Sequence, residues 1–146
     1  MPRIDVLRPF VEKNLAAMLE VPRVQADQEG DYYLPWGSAN IRVRLVDESE
    51  PLLQLSAVLV DGYKKSARML DALNTINASE LGFRVFRYER RILAAWEVPA
   101  DTLDARQFLA VCHRFAEQAD KFDSVLASRF GGKTALPDED DGAVDA

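Results

Sequence analysis

Apolar side chains recur at Ile4, Leu7, Val11, Leu15 and Met18, with Phe10 and Leu19 widening the stripe. Steps of three and four put them on one face and predict a helix over 4–20, stopped by Pro22. Pro9 lacks an N–H and disfavours helix at the residue before it, so the regular helix is expected to begin near Arg8 with Pro9 in its first turn. Residues 24–30 are polar and turn-like. The aromatic-rich stretch 31–36 predicts a short strand, and Gly37-Ser38 a hairpin turn into 39–46. There Ile41, Val43 and Leu45 alternate with Arg42 and Arg44, the period of a half-buried strand. After a turn at 47–51, residues 52–60 alternate again, with Leu53, Leu55, Ala57 and Leu59 on one face. The other face passes from Gln54 and Ser56 to Val58 and Val60, as in an interior strand.

Apolar residues recur at steps of three, at Ala67, Leu70, Leu73 and Ile76, with Met69 beside them, predicting a second helix over 64–79. Two strands follow, 83–89 and 92–98, joined by the charged turn Arg90-Arg91 and ended by Pro99. The longest helix spans 104–129, with a core stripe at Phe108, Val111, Phe115, Ala119, Phe122 and Leu126. Asp104 and Gln107 stand at capping-box spacing, and Gly131-Gly132 ends the helix. The order is α-β-β-β-α-β-β-α. Strands in runs of three and two joined by tight turns predict an α+β fold: an antiparallel five-stranded sheet with three helices covering mainly one face. Residues 1–132 form a single domain. Residues 133–146 are expected to be an acidic, disordered tail.

Composition narrows the chemistry. The chain has 146 residues, 48% hydrophobic and 29% charged, enough for one packed core. Eighteen Lys and Arg face 24 Asp and Glu, and five of those acids lie in the last nine residues, leaving 1–132 nearly neutral. A nucleic-acid binder would carry a basic footprint, which this balance lacks. No apolar run reaches the eighteen or so residues that span a bilayer. Arg8, Glu12, Lys13 and Asn14 break the N-terminal apolar pattern, so neither a secretory signal nor a transit peptide is expected, and the location predicted is cytoplasmic. One cysteine and one histidine exclude a disulfide, a cysteine zinc cluster and a multi-histidine metal site, and no cofactor is predicted.

Each candidate for chemistry has a plainer reading. Cys112 and His113 are neighbours on a helix and point about 100° apart, and Cys112 falls on the core stripe, where a thiol acts as a small hydrophobe. Gly131-Gly132-Lys133-Thr134 echoes the end of a phosphate loop but follows a helix and lacks the upstream glycine. Asp47, Glu48 and Glu50 read as a solvated hairpin tip. Asn74 and Asn77 are poor residues for a helix interior. They point to hydrogen bonds with a neighbouring strand edge, or to a left-handed helix end at Asn77. Arg42, Arg44, Phe86, Tyr88 and Trp96 form an aromatic and basic set on the sheet. If the helices cover one face, part of this set lies on the other, where aromatic and arginine residues make binding anchors. With no nucleophile–base set and no metal set, catalysis is not expected. A small regulatory or stress-response domain sensing a small ligand is the alternative to a binding module.

Four stretches resemble one family. Trp36-Gly37-Ser38-Ala39 entering an alternating strand, Leu73-Asn74-Thr75-Ile76-Asn77, the charged hairpin before Ile92-Leu93-Ala94-Ala95-Trp96, and Arg129-Phe130-Gly131-Gly132-Lys133-Thr134 are similar to the YbjN and type III secretion chaperone-like family, in particular its small actinobacterial members. The resemblance reaches to about Thr134 and agrees with the predicted order of elements. It implies a type III secretion chaperone-like fold and a non-enzymatic, peptide-binding module, commonly a homodimer, whose partner is a segment of another protein. It places Met69, Leu70 and Leu73 near a dimer seam and makes the sheet aromatics candidates for partner contact. Gly37, Ser38, Asn74 and Asn77 become fold-defining positions.

Overall fold

The computed structural model describes residues 3–136. Its elements are α1 (Arg3–Leu19), β1 (Tyr32–Trp36), β2 (Ala39–Val46), β3 (Leu52–Asp61), α2 (Ala67–Ser79), β4 (Arg84–Tyr88), β5 (Arg91–Pro99) and α3 (Ala105–Phe130). Every predicted element is present and in the predicted order. All pairings are antiparallel, in the sheet order β1-β2-β3-β5-β4. The β4–β5 hairpin arrives after α2 and sets its second strand beside β3. That makes β3 the centre of the sheet, with β1 and β4 its edges.

The period-two pattern becomes a one-sided core. Tyr32 and Leu34, then Ile41, Val43 and Leu45, then Leu53, Leu55 and Ala57 are buried on one face. There α3 crosses β3 and β2, α2 packs on β4, and α1 flanks α3. A bulge between Val58 and Val60 inserts Leu59 as an extra residue and turns Val60 onto this covered face opposite Ile92. Leu59 and Val60 are therefore both buried.

Several element ends depart from expectation for local reasons. α1 begins at Arg3 and carries Pro9 in its interior. Pro9 is exposed, so the Asp5 carbonyl it leaves without a donor can be solvated, while burial of Val11 and Leu15 holds the helix together. The helix ends before Pro22, in a Schellman arrangement. Glu20 takes φ 55°, Val21 N–H donates to the Ala16 carbonyl at 3.1 Å, and Glu20 N–H donates to Ala17 at 3.3 Å. α2 starts three residues later than expected because Ser66 is its N-cap, accepting from Met69 N–H at 3.1 Å. It continues past Asn77 to Ser79, so Asn77 is not a left-handed helix end. α3 has the expected capping box of Asp104 and Gln107 and ends at Gly131, φ 82°.

The chain does not leave the fold after Gly132. Lys133 and Asp61 exchange both backbone hydrogen bonds, at 2.8 and 2.9 Å, and Leu136 N–H donates to the Ser38 carbonyl at 2.9 Å. These backbone pairs hold residues 133–136, which were expected to be tail. The remainder of that expectation, 137–146, lies outside the described residues.

Candidate functional site

Antiparallel register places directly opposed residues on the same face, so the surface facing away from the helices can be read strand by strand. One row crosses all five strands: Tyr33, Arg42, Ser56, Ala95 and Arg84. A second row runs Val58, Leu93, Phe86, and a third Arg44, Gln54, Glu97. Tyr88 opposes Arg91 at the far corner. No helix among the described residues packs on this side. Tyr33, Phe86 and Tyr88 are 43%, 38% and 65% exposed, while Val58 and Leu93 are half-buried. The face is thus an open sheet surface with an apolar corner of Val58, Leu93, Phe86 and Tyr88 beside a field of arginines.

Those arginines are not equivalent. Arg44 is committed to Asp31, with Nε 2.6 Å from Oδ1 and Nη2 2.7 Å from Oδ2. Asp31 is buried, and the Arg44 guanidinium holds its carboxyl below the usual carboxylate range. Arg44 therefore fastens the entry of β1 to β2. Arg84 pairs with Glu97 across β5 at 2.7 and 2.9 Å and lies over the Phe86 ring, 5.7 Å from its centroid. Among the described residues Arg42 makes one side-chain bond, Nε to Ser56 Oγ at 3.2 Å, which leaves other guanidinium donors for another molecule.

Of the five residues singled out for partner contact, four share this surface: Arg42, Arg44, Phe86 and Tyr88. Trp96 does not. It opposes Leu55, on the covered face, and packs against the core. Gly82, φ 65°, lies so close under the indole that a Cβ there would stand 2.5 Å from Trp96 Cε2. Trp96 thus belongs to the packing of the covered face, over Gly82. The three residues expected near a dimer seam separate in the same way. Met69 and Leu73 are on the α2 stripe that faces the sheet and are buried within the protomer; Leu70 alone is exposed, at 42%.

The expected fold-defining positions have specific partners, Asn74 excepted. Gly37 has φ 59° at the first place of a two-residue hairpin turn, where the mirror-type turn favours glycine. A Cβ there would also overlap the Asp120 carboxylate of α3. Ser38 is buried, and its Oγ lies 2.9 Å from both carboxylate oxygens of Asp123, 3.1 Å from Asp120 Oδ1 and 3.2 Å from Ser124 Oγ. Its N–H donates to Asp120 at 2.9 Å. The hairpin is therefore pinned to α3 by two carboxylates. Burial pushes the Asp123 carboxyl up to about 6, with the Ser38 and Ser124 hydrogen bonds acting in the opposite sense. Asp120 and Asp123 were missed in the sequence. The available signal was an acid at 123, one of the two steps that continue the α3 stripe from Ala119 to Leu126. Asn77 bonds both backbone groups of Val85 on β4, while Asn74 is exposed.

Cys112 is buried in the core, which pushes its thiol up to about 12, far from a nucleophile's range. His113 points to the exposed side, edge-on to Trp36 at 5.1 Å. Asp47, Glu48 and Glu50 are exposed at the β2–β3 turn. Among the described residues no helix is long and apolar enough to cross a membrane.

The described residues form a five-stranded antiparallel sheet covered by helices on one side and open on the other. The chain belongs to the family of T3SS (YopN, CesT) and YbjN peptide-binding chaperones, which residues 5–138 match. No functionally curated protein matches its sequence. Solved structures share the fold at low identity. A chain in the crystal structure of the ExsC–ExsE complex superposes with TM-score 0.68 at 19% identity, covering 86% of this chain and 97% of that one. The HopA1–SchA chaperone–effector complex gives 0.58 at 12%, covering 83% and 98%. YbjN from E. coli gives 0.55 at 17%, covering 88% and 93%. The predicted family and fold are both found.

Proposed function

We propose that this chain is a non-enzymatic, chaperone-like module that holds a segment of a partner protein against the open face of its sheet. The observation carrying this reading is the apolar corner of Val58, Leu93, Phe86 and Tyr88, on the face that no described helix covers while the three helices occupy the other side. Aromatic side chains supply area at small conformational cost, and burying apolar surface there gives affinity without any covalent step. Arg42 adds free guanidinium donors suited to a carboxylate or a carbonyl on the bound segment. Membership of a peptide-binding chaperone family supports the reading, as does the likeness to chains solved in complexes such as that of HopA1 with SchA.

The module acts in the cytoplasm, as a homodimer. Leu70, the exposed member of the α2 trio, is the side chain assigned to the dimer contact. The test is capture from native lysate with the immobilised protein and with a Phe86→Asp/Tyr88→Asp variant, followed by identification of what each retains. A protein kept by the native chain and lost by the variant is the expected result; an identical retained set removes the sheet face from the site. Light scattering on the native chain and on Leu70→Glu tests the dimer, which the variant should dissociate.

A further inference from the structure

The opposite side of the molecule carries a second surface that the sheet-face reading does not use. Side chains of α2 and α3 line a cleft of about 490 Å³. Its floor is apolar: Ile76 and Leu126 are buried, Phe122 is half-buried, and Val125 is 45% exposed. The rim is cationic, with Arg68 from α2 and Lys121 and Arg129 from α3. Arg68 and Arg129 also line an adjoining hollow of about 570 Å³ that ends at Lys64. Lys121 and Arg129 lean on aromatic rings, 5.0 Å from the Phe122 centroid and 4.9 Å from that of Phe130. Among the described residues none of these four cations is in an ion pair. Two carboxylates, Asp71 and Glu80, share the rim, and Glu80 accepts a hydrogen bond from Gln118 at 3.0 Å. This excess of positive charge stands out because residues 3–136 carry 18 basic and 19 acidic side chains.

We propose that this cleft docks an acidic segment of a partner protein, with aliphatic side chains seated on Val125 and Phe122 and carboxylates paired with Arg68, Lys121 and Arg129. Charge complementarity names the sign of the occupant, and length names its kind. Lys121 and Arg129 are eight positions apart on α3, about 12 Å along the axis. A single small anion does not bridge that distance, whereas about four extended residues do. The apolar floor calls for side chains, and Asp71 and Glu80 on the rim oppose a continuous phosphate backbone.

The test is an anisotropy titration at low salt with a labelled peptide that repeats two glutamates and a leucine, beside the same peptide with lysine in place of glutamate. The acidic peptide is expected to bind, and the lysine peptide not to. Added salt should weaken the binding, as for paired charges at a surface. Arg68→Glu/Arg129→Glu should lower affinity on the order of tenfold, and Phe86→Asp/Tyr88→Asp should leave it unchanged. Circular dichroism checks that the charge-reversed chain is folded; if it is not, Arg68→Gln/Arg129→Gln gives the same reading in smaller measure. The proposal is overturned by equal affinity of native and cleft variants, by loss in the sheet-face variant instead, or by a single-stranded oligonucleotide that displaces the peptide from the cleft.

Discussion

The side chain of Asn77 stands in for a neighbouring strand at Val85. Its Nδ2 donates to the Val85 carbonyl at 2.9 Å, and the Val85 N–H donates to its Oδ1 at 2.7 Å. β4 is an edge strand, and an edge with unpaired backbone groups is a template for pairing with other chains. One amide thus fixes α2 to the sheet and closes that part of the edge. Asn77→Ala should cost about 2 kcal/mol, from two lost hydrogen bonds and a part-buried N–H left without a partner. Urea unfolding measures the cost. Light scattering on the variant should also rise with concentration, as the bared edge recruits a second chain.

Asp123 makes stability depend on pH in a definite direction. Its folded carboxyl is raised to about 6 by burial, so the folded state binds this proton more tightly than the unfolded chain does. The contribution is fully present below about pH 4 and is lost as pH rises through 6, where ionisation costs about 2–3 kcal/mol. Asp31 works the other way. Arg44 lowers its carboxyl, so that contribution is present above the ordinary carboxylate range and is lost as the solution is acidified through its lowered value. Asp123→Asn keeps an acceptor for Ser38 and carries no charge to bury. Thermal melts should show it more stable than the native chain by about 5 °C at pH 7.5 and no more stable at pH 4.5. A gain of equal size at both pH values would mean that Asp123 is ionised throughout.

Gly37 is held by conformation and by space at once. Its φ of 59° strains any residue with a Cβ, and a Cβ would also meet the Asp120 carboxylate. Gly37→Ala should therefore destabilise by more than the roughly 1 kcal/mol of an ordinary left-handed alanine. Combining it with Asp120→Ala should recover the steric part of the loss and leave the conformational part. A double-mutant cycle by urea unfolding reads this directly.

The strands were legible because one face of each is buried, and a period of two then reports the pairing pattern almost by itself. The long α3 stripe and its capping box were legible for the same reason at a period of three and four. Long-range register was not. On β5 both Ala94 and Ala95 are buried, so the strand alone does not say which side Trp96 takes; its pairing with Leu55, forty-one positions away, decides it. Met69 and Leu73 could be read as apolar helix residues, but whether that stripe meets the sheet or another protomer depends on where α2 packs. The Ser38–Asp123 contact escaped for a related reason. A buried acid is rare enough to be read as surface until its hydroxyl partner, 85 positions earlier, is brought beside it.

On the proposed function, the division of the aromatic set between the two faces separates folding from binding. Trp96 packs on the core and covers Gly82, so Trp96→Ala should cost about 3 kcal/mol of stability, as for a large-to-small change at a largely packed site. It should leave partner binding intact at temperatures where the variant is folded. Phe86 and Tyr88 have the opposite profile. They are exposed on the open face, so Phe86→Ala/Tyr88→Ala should cost less stability than Trp96→Ala, by about 1 kcal/mol or more, and weaken partner binding by about 2 kcal/mol or more. Urea unfolding gives the first quantity, and titration of whatever protein the native chain retains gives the second. Binding that tracks Trp96 rather than Phe86 and Tyr88 would move the site to the covered face near Gly82 and leave the open face without a role.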